Sequence, residues 1–103
     1  MFLTFIQKLF GPATDYKMLL EKGALIVDVR SPAEYQSGHI KGSVNIPVDQ
    51  IKSKLVQLKA KNQPVITCCK SGARSGMAKS ILKASGIEVY NGGPWNTLHQ
   101  KLS

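Results

Sequence analysis

Residues 65–85 read VITCCKSGARSGMAKSILKAS, and the order of residue types in this stretch decides the fold. The apolar run 65–68 is short enough for a buried strand. Residues 75–85 place Met77, Ala78, Ile81 and Leu82 at helical spacing, facing inward, and Gly86 stands where the helix stops. Between strand and helix lies the short polar connection Cys69-Lys70-Ser71-Gly72-Ala73-Arg74. Working outward, the same alternation recurs. Toward the N-terminus, residues 15–21 read as a short helix stopped by Gly23, and residues 24–29 as a buried strand. Ser31-Pro32-Ala33-Glu34 then combines an N-cap serine, a proline at the first helical position and a glutamate at the third, a capping box that starts a short helix ended by Gly38. Residues 42–47 form a short strand closed by Pro47, and Ile51, Leu55, Val56 and Leu58 predict a helix from Asp49 to Ala60. Toward the C-terminus, residues 87–90 give the last strand, Asn91-Gly92-Gly93-Pro94 a loop, and residues 95–102 a terminal helix. Strands separated by helices imply right-handed crossovers, hence an α/β domain with a parallel sheet of about four or five strands and helices on both faces. In such sheets the ligand crevice lies beyond the carboxyl ends of the strands, where the cysteine loop begins.

Composition narrows the function classes. A chain of 103 residues fits one domain, since two cores would leave each half near the lower limit for independent folding. The expected organisation is an N-terminal segment, 1–14, and a domain, 15–103. No apolar run approaches the roughly 20 residues that span a bilayer. Residues 1–10 are apolar at Phe2, Leu3, Phe5, Ile6, Leu9 and Phe10, a pattern for a short packing helix; Gln7 and Lys8 interrupt the run that a secretory signal or an anchor needs. A cytoplasmic protein is expected. Two adjacent cysteines cannot staple distant segments, and with two histidines they do not make a four-ligand zinc site. The formal net charge of +8 favours anionic ligands or partners, yet the lysines are scattered over helix surfaces without interleaved aromatics. Specific nucleic-acid binding is not expected.

The chemistry falls on the loop after residues 65–68. A cysteine between a strand and a helix N-terminus sits where free backbone N–H groups converge, and the helix start, Lys70 and Arg74 favour its thiolate. Gly72 permits the curvature that turns those N–H groups into an anion-binding nest, and Ser71 and Ser75 add hydroxyls. Two frames are open. Counted from Cys69, four residues intervene before Arg74; counted from Cys68, five intervene and Cys68 to Ser75 spells the C-x5-R-S pattern of a cysteine phosphatase. A phosphatase loop usually has a histidine before the cysteine, where this chain has Thr67, and it needs a general acid for which the chain offers no marked candidate.

At this point the chain resembles the rhodanese, or sulfurtransferase, family in its small single-domain form. Asp28-Val29-Arg30, Glu34-Tyr35, Gly38-His39-Ile40, Gly42-Ser43 and Asn45-Ile46-Pro47 are similar to that family's first signature. Cys69-Lys70-Ser71-Gly72-Ala73-Arg74-Ser75 is similar to its active-site loop in the length typical of sulfur transfer, and Val89-Tyr90-Asn91-Gly92-Gly93 with Trp95 to its terminal signature. The chain departs from the family at Cys68, where an aromatic residue is common, and at Trp95, which follows the paired glycines closely.

The resemblance implies persulfide chemistry without a metal or organic cofactor. Cys69 is the catalytic residue it selects, taking a sulfane sulfur from thiosulfate or a polysulfide or persulfide donor and passing it to cyanide or a thiol, which includes a thiol on a protein acceptor. The loop Lys70, Ser71, Gly72, Ala73, Arg74 and Ser75 holds the substrate; Lys70 and Arg74 attract the donor, unless Arg74 turns inward to brace the loop. Asp28, Arg30, Glu34 and His39 are read as structural support, with Arg30 pairing a carboxylate such as Glu34. The alternatives are the phosphatase frame from Cys68 and a non-catalytic sulfur-carrier or partner-binding module.

Overall fold

The computed structural model describes residues 13–103, and the helix expected over residues 1–10 lies outside the described residues. Helix α1, Tyr16–Glu21, begins at Asp15, whose carboxylate accepts the Met18 N–H. Strand β1 is Leu25–Asp28 and helix α2 is Pro32–Gln36, which starts with the capping box that Ser31 and Glu34 predict. Strand β2 shrinks to Val44–Asn45; helix α3 is Leu55–Ala60, strand β3 Val65–Cys69, helix α4 Ala73–Ala84, strand β4 Val89–Pro94 and helix α5 Trp95–Leu102.

The four strands form one parallel sheet in the order β2-β1-β3-β4. Its two faces are covered by different helices. On one face Val27, Val29, Val65 and Val89 pack with Ile51, Leu58, Ala78 and Leu82 from the segments around α3 and α4. On the other face Ile26, Ile66 and Cys68 pack with Leu19 of α1, Leu98 of α5 and Ile40. Full burial of aliphatic side chains such as Val27, Ile66, Leu82 and Leu98 contributes about 1.5–3 kcal/mol each before the entropy of ordering them is subtracted.

Three expectations need correction. The segment from Asp49 to Ala60 is not one helix: two 3-10 turns, Val48–Gln50 and Lys52–Lys54, precede α3. A 3-10 turn has three residues rather than 3.6, so the apolar stripe loses its phase. Ile51 and Leu58 face the core, but Val56 is 84% exposed. Met77 also points outward, at 61% exposure, because Ala78 and Leu82 are the α4 residues that meet the sheet. Finally, residues 91–94 do not leave the sheet as a loop. They extend β4, pairing Asn91 with Thr67 and, after a register shift between Thr67 and Cys69, Pro94 with Cys69. Gly92 makes this approach feasible, since a Cβ there would lie 2.9 Å from both the Thr67 carbonyl oxygen and Leu98 Cδ2.

The Gly92→Ala protein is therefore expected to lose about 1–3 kcal/mol of stability, the range for overpacking a filled interior. Urea unfolding checks this, with the midpoint falling and the slope unchanged.

Candidate active site

Strand β3 carries Cys69 to the carboxyl edge of the sheet, and Gly72 turns the chain into α4. Gly72 has φ +99°, a left-handed conformation that costs a residue with a Cβ and is free for glycine. This leaves α4 without a side-chain cap on its first N–H groups. The Cys69 sulfur supplies the missing acceptor: Sγ accepts the Gly72 N–H at 2.9 Å and the Ser75 N–H at 3.4 Å, with Ser75 Oγ also at 3.4 Å. Burial pushes the Cys69 thiol up, but hydrogen bonds from the Ser75 side chain and from the Ser75, Gly72 and Ser71 N–H groups outweigh it and hold the thiol below its ordinary range. The arrangement can stabilise a sulfur anion.

Cys68 receives the opposite treatment. Successive side chains on a strand alternate faces, so the Cys68 sulfur lies in the apolar layer with Ile26, Ile66 and Leu98. Burial first, then the neighbouring Asp28 charge, pushes its thiol up to about 12. The structure therefore brings Cys69, Gly72 and Ser75 together and turns Cys68 away from them.

The charged support differs in detail from the sequence expectation. Arg30 pairs with Asp28 rather than with the Glu34 carboxylate: Nη2 lies 2.7 Å from Oδ2 and Nε 3.0 Å from Oδ1, both residues being buried. Arg30 also donates to the Gly38 carbonyl at 2.7 Å and the Glu34 carbonyl at 3.2 Å, while its guanidinium lies 4.8 Å over the Trp95 ring. The capping box explains the exchange. It turns the Glu34 carboxylate back onto Ser31, and from there it meets Arg74 in a two-pronged pair at 2.7 and 3.0 Å. Arg74 thus braces the loop against α2. Its hydrogen bonds, followed by that from the Ser31 N–H, hold the Glu34 carboxyl down at about 2.

Among the described residues Lys70 makes no ion pair, and it is exposed beside the loop, as are Ser71 and Ala73. His39 stacks on Tyr35 with ring centroids 3.8 Å apart and places Nδ1 2.8 Å from the Tyr35 carbonyl, which gives it a role in the turn after α2. A residue that sequence reasoning missed is Asn91. Its Oδ1 accepts from Ser75 Oγ at 2.7 Å and from the Gly93 N–H at 2.9 Å. Asn before Gly-Gly is a turn signal, and only the extension of β4 beside β3 brings Asn91 to the cysteine loop.

The sequence profile of the Rhodanese-like domain family matches residues 12–94. This chain belongs to that family. It is 39% identical over 69 residues to a thiosulfate sulfurtransferase, PspE, of Escherichia coli, covering 65% of this chain and 66% of PspE. It is 35% identical over 80 residues to a thiosulfate sulfurtransferase, GlpE, of Pseudoalteromonas translucida, covering 77% and 75%. A solved structure described as a rhodanese with anions from E. coli superposes with a TM-score of 0.66 at 35% identity, covering 73% of this chain and 91% of that one. The chain spans about half to two thirds of the length of the two curated relatives to which it is 39% identical. Among the described residues no helix is long and apolar enough to cross a membrane.

The Glu34–Arg74 pair predicts a pH signature. A carboxyl held at about 2 when folded, against an ordinary value of 4.5, adds stability that is complete above the ordinary value and is lost as pH falls toward 2. Thermal midpoints of wild type and Glu34→Gln should differ most above that window and converge through it. A gap that is constant with pH would contradict the pair's contribution.

Proposed function

We propose that this protein is a sulfurtransferase that moves a sulfane sulfur through a persulfide on Cys69. The observation that carries the reading is the Cys69 sulfur held by the N–H groups of Gly72 and Ser75 at the start of α4. In the proposed reaction the Cys69 thiolate attacks the sulfane sulfur of thiosulfate. The S–S bond of the donor breaks, sulfite leaves with the bonding electron pair, and Cys69 carries S–S⁻. Cyanide or a thiolate then attacks the terminal sulfur, taking it as thiocyanate or as a new persulfide, and the Cys69 thiolate returns. Polysulfides and low-molecular-weight persulfides fit the same step, with a thiolate or shorter polysulfide leaving in place of sulfite. A thiol on a protein is an acceptor of the same chemistry.

The loop N–H groups that cradle the thiolate would also stabilise the persulfide anion, fixed donors that need no reorganisation as charge moves. No surface of Cys69 is exposed in this conformation, so donor access requires the loop over the sulfur to yield. Arg74 is paired with Glu34, so among the described residues of the loop Lys70 is the unpaired cation that would attract an anionic donor. Both cysteines are free thiols, so Cys69 is available as a thiolate nucleophile. The phosphatase frame loses support because its nucleophile, Cys68, faces away from the cradle with its thiol pushed up to about 12.

Exposure to thiosulfate followed by desalting should add the mass of one sulfur to wild type and to Cys68→Ala, removed again by cyanide. Cys69→Ser should remain folded, gain nothing and turn over no thiosulfate. Sulfur loading on Cys69→Ser, or phosphate-ester hydrolysis that depends on Cys68, would overturn the reading.

Replacing Lys70 by Ala should raise the KM for thiosulfate by roughly two- to fivefold, the scale of one exposed charge interaction, with little change in kcat. Steady-state rates across a salt series check this, since the variant should also show a flatter salt dependence.

A further inference from the structure

Ser75 has one hydroxyl proton and three acceptors within reach. Its Oγ lies 2.7 Å from Asn91 Oδ1, 3.0 Å from the Gly72 carbonyl oxygen and 3.4 Å from Cys69 Sγ. Which of them takes the proton is determined by Asn91. A backbone N–H can only donate, so the Asn91 atom 2.9 Å from the Gly93 N–H is the amide oxygen, and that same oxygen faces Ser75. The amide nitrogen consequently faces the Gly72 carbonyl, at 3.4 Å, which already accepts the Gly76 N–H at 3.1 Å. The Gly72 carbonyl can take the Ser75 proton too, but it already accepts the Gly76 N–H and lies farther from Oγ, so the shortest contact open to that proton is Asn91 Oδ1. The main-chain carbonyl of Asn91 accepts the Tyr16 hydroxyl at 2.9 Å, which anchors the residue from α1.

We propose that Asn91 is a positioning residue that acts on Cys69 through Ser75, competing with the cysteine sulfur for the one Ser75 proton. With Cys69 as a thiol, the chain of donors runs from S–H to Ser75 Oγ and from Ser75 O–H to Asn91 Oδ1. When the thiol proton leaves to solvent, the Ser75 hydroxyl rotates about Cβ–Oγ, gives up Asn91 and donates to the sulfur anion. A charged acceptor forms the stronger hydrogen bond, so the anion wins the proton, but only after the Asn91 bond is lost. Asn91 therefore works against ionisation of the resting thiol, a restraint placed on the site's own nucleophile. The charged groups around Cys69 are Arg74 held by Glu34, the Asp28–Arg30 pair beside Cys68 and the exposed Lys70; none of them is hydrogen-bonded to Asn91. The Ser75 proton is the route by which Asn91 reaches the sulfur.

The inference deepens the sulfur-transfer reading and rests on it for its purpose, but the measurement is independent of activity. The pH dependence of iodoacetamide alkylation, with Cys69 resolved from Cys68 by peptide mapping, is followed on the full chain. Wild type, Asn91→Ala, Ser75→Ala and the double variant are compared, with folding checked by circular dichroism. Asn91→Ala should shift the Cys69 midpoint to lower pH, raising the thiolate-to-thiol ratio near pH 7 by roughly two- to tenfold, the net worth of one hydrogen bond. Ser75→Ala should shift it to higher pH, and the double variant should coincide with Ser75→Ala. An upward or absent shift in Asn91→Ala, or additive shifts in the double variant, would overturn the proposal. Should Asn91→Ala not fold, Asn91→Asp replaces it. The stronger acceptor should raise the midpoint by more in the Ser75 background than in Ser75→Ala, and equal shifts would overturn the proposal. A protein that loads no sulfur yet gives this order of midpoints would refute the sulfur-transfer reading and retain the role of Asn91.

Discussion

The pleat of β3 is the constraint on which the remaining features depend. All five of its residues are buried, with β1 on one side and β4 on the other. Its side chains are divided between two helical layers: Val65 and Cys69 go to the α4 side, Ile66 and Cys68 to the side of α1 and α5. A slip of one residue would exchange every side chain between those layers, so paired neighbours and filled faces pin the register. Two chemically identical neighbours thereby acquire opposite properties. One thiol meets apolar side chains and a carboxylate; the other meets the free N–H groups of a helix start.

The electrostatics of the site come from backbone more than from side-chain cations. Among 14 basic residues, the two arginines are both committed to carboxylates: Arg30 to Asp28 in the interior, Arg74 to Glu34 at the loop. A buried pair such as the first is better understood as a tie than as a source of net stability, since desolvation offsets much of its attraction. It joins the end of β1 to the turn after α2 and to Trp95. The second pair links the helix that follows β1 to the loop that follows β3, so the crevice edge is braced from both sides of the strand order. What remains for a sulfur anion is a set of N–H donors whose orientation is inherited from α4.

Glu34 illustrates how one residue serves at two levels. Locally it completes the capping box of α2, accepting the Ser31 N–H. At the tertiary level the same carboxylate receives Arg74 from 40 positions away in sequence. Asn91 likewise reads locally as turn chemistry and acts in the fold as the partner of Ser75.

Much of the architecture is legible in the sequence because it is local. The capping box at Ser31, the strand-loop-helix passage around Gly72 and the alternation of short apolar runs with helical patterns all report interactions between near neighbours, and each has its counterpart in the structure. The alternation of side chains along a strand is likewise a local rule, and it sends the neighbouring Cys68 and Cys69 to opposite faces. What only the tertiary structure decided involves distant pairs. Arg30 and Arg74 each had several carboxylates to choose from, and the choice depends on where α2 sits against α4. Residues 91–94 carry glycines and a proline, which weaken a strand by themselves; they extend β4 because β3 supplies a partner and Thr67 approaches Gly92 too closely for any side chain. Val56 and Met77 fit a helical stripe and still face outward, because the phase of the stripe was set by 3-10 turns and by the position of the sheet. Local patterns determine which elements form, whereas side-chain partners are selected by distances that exist only once those elements are packed.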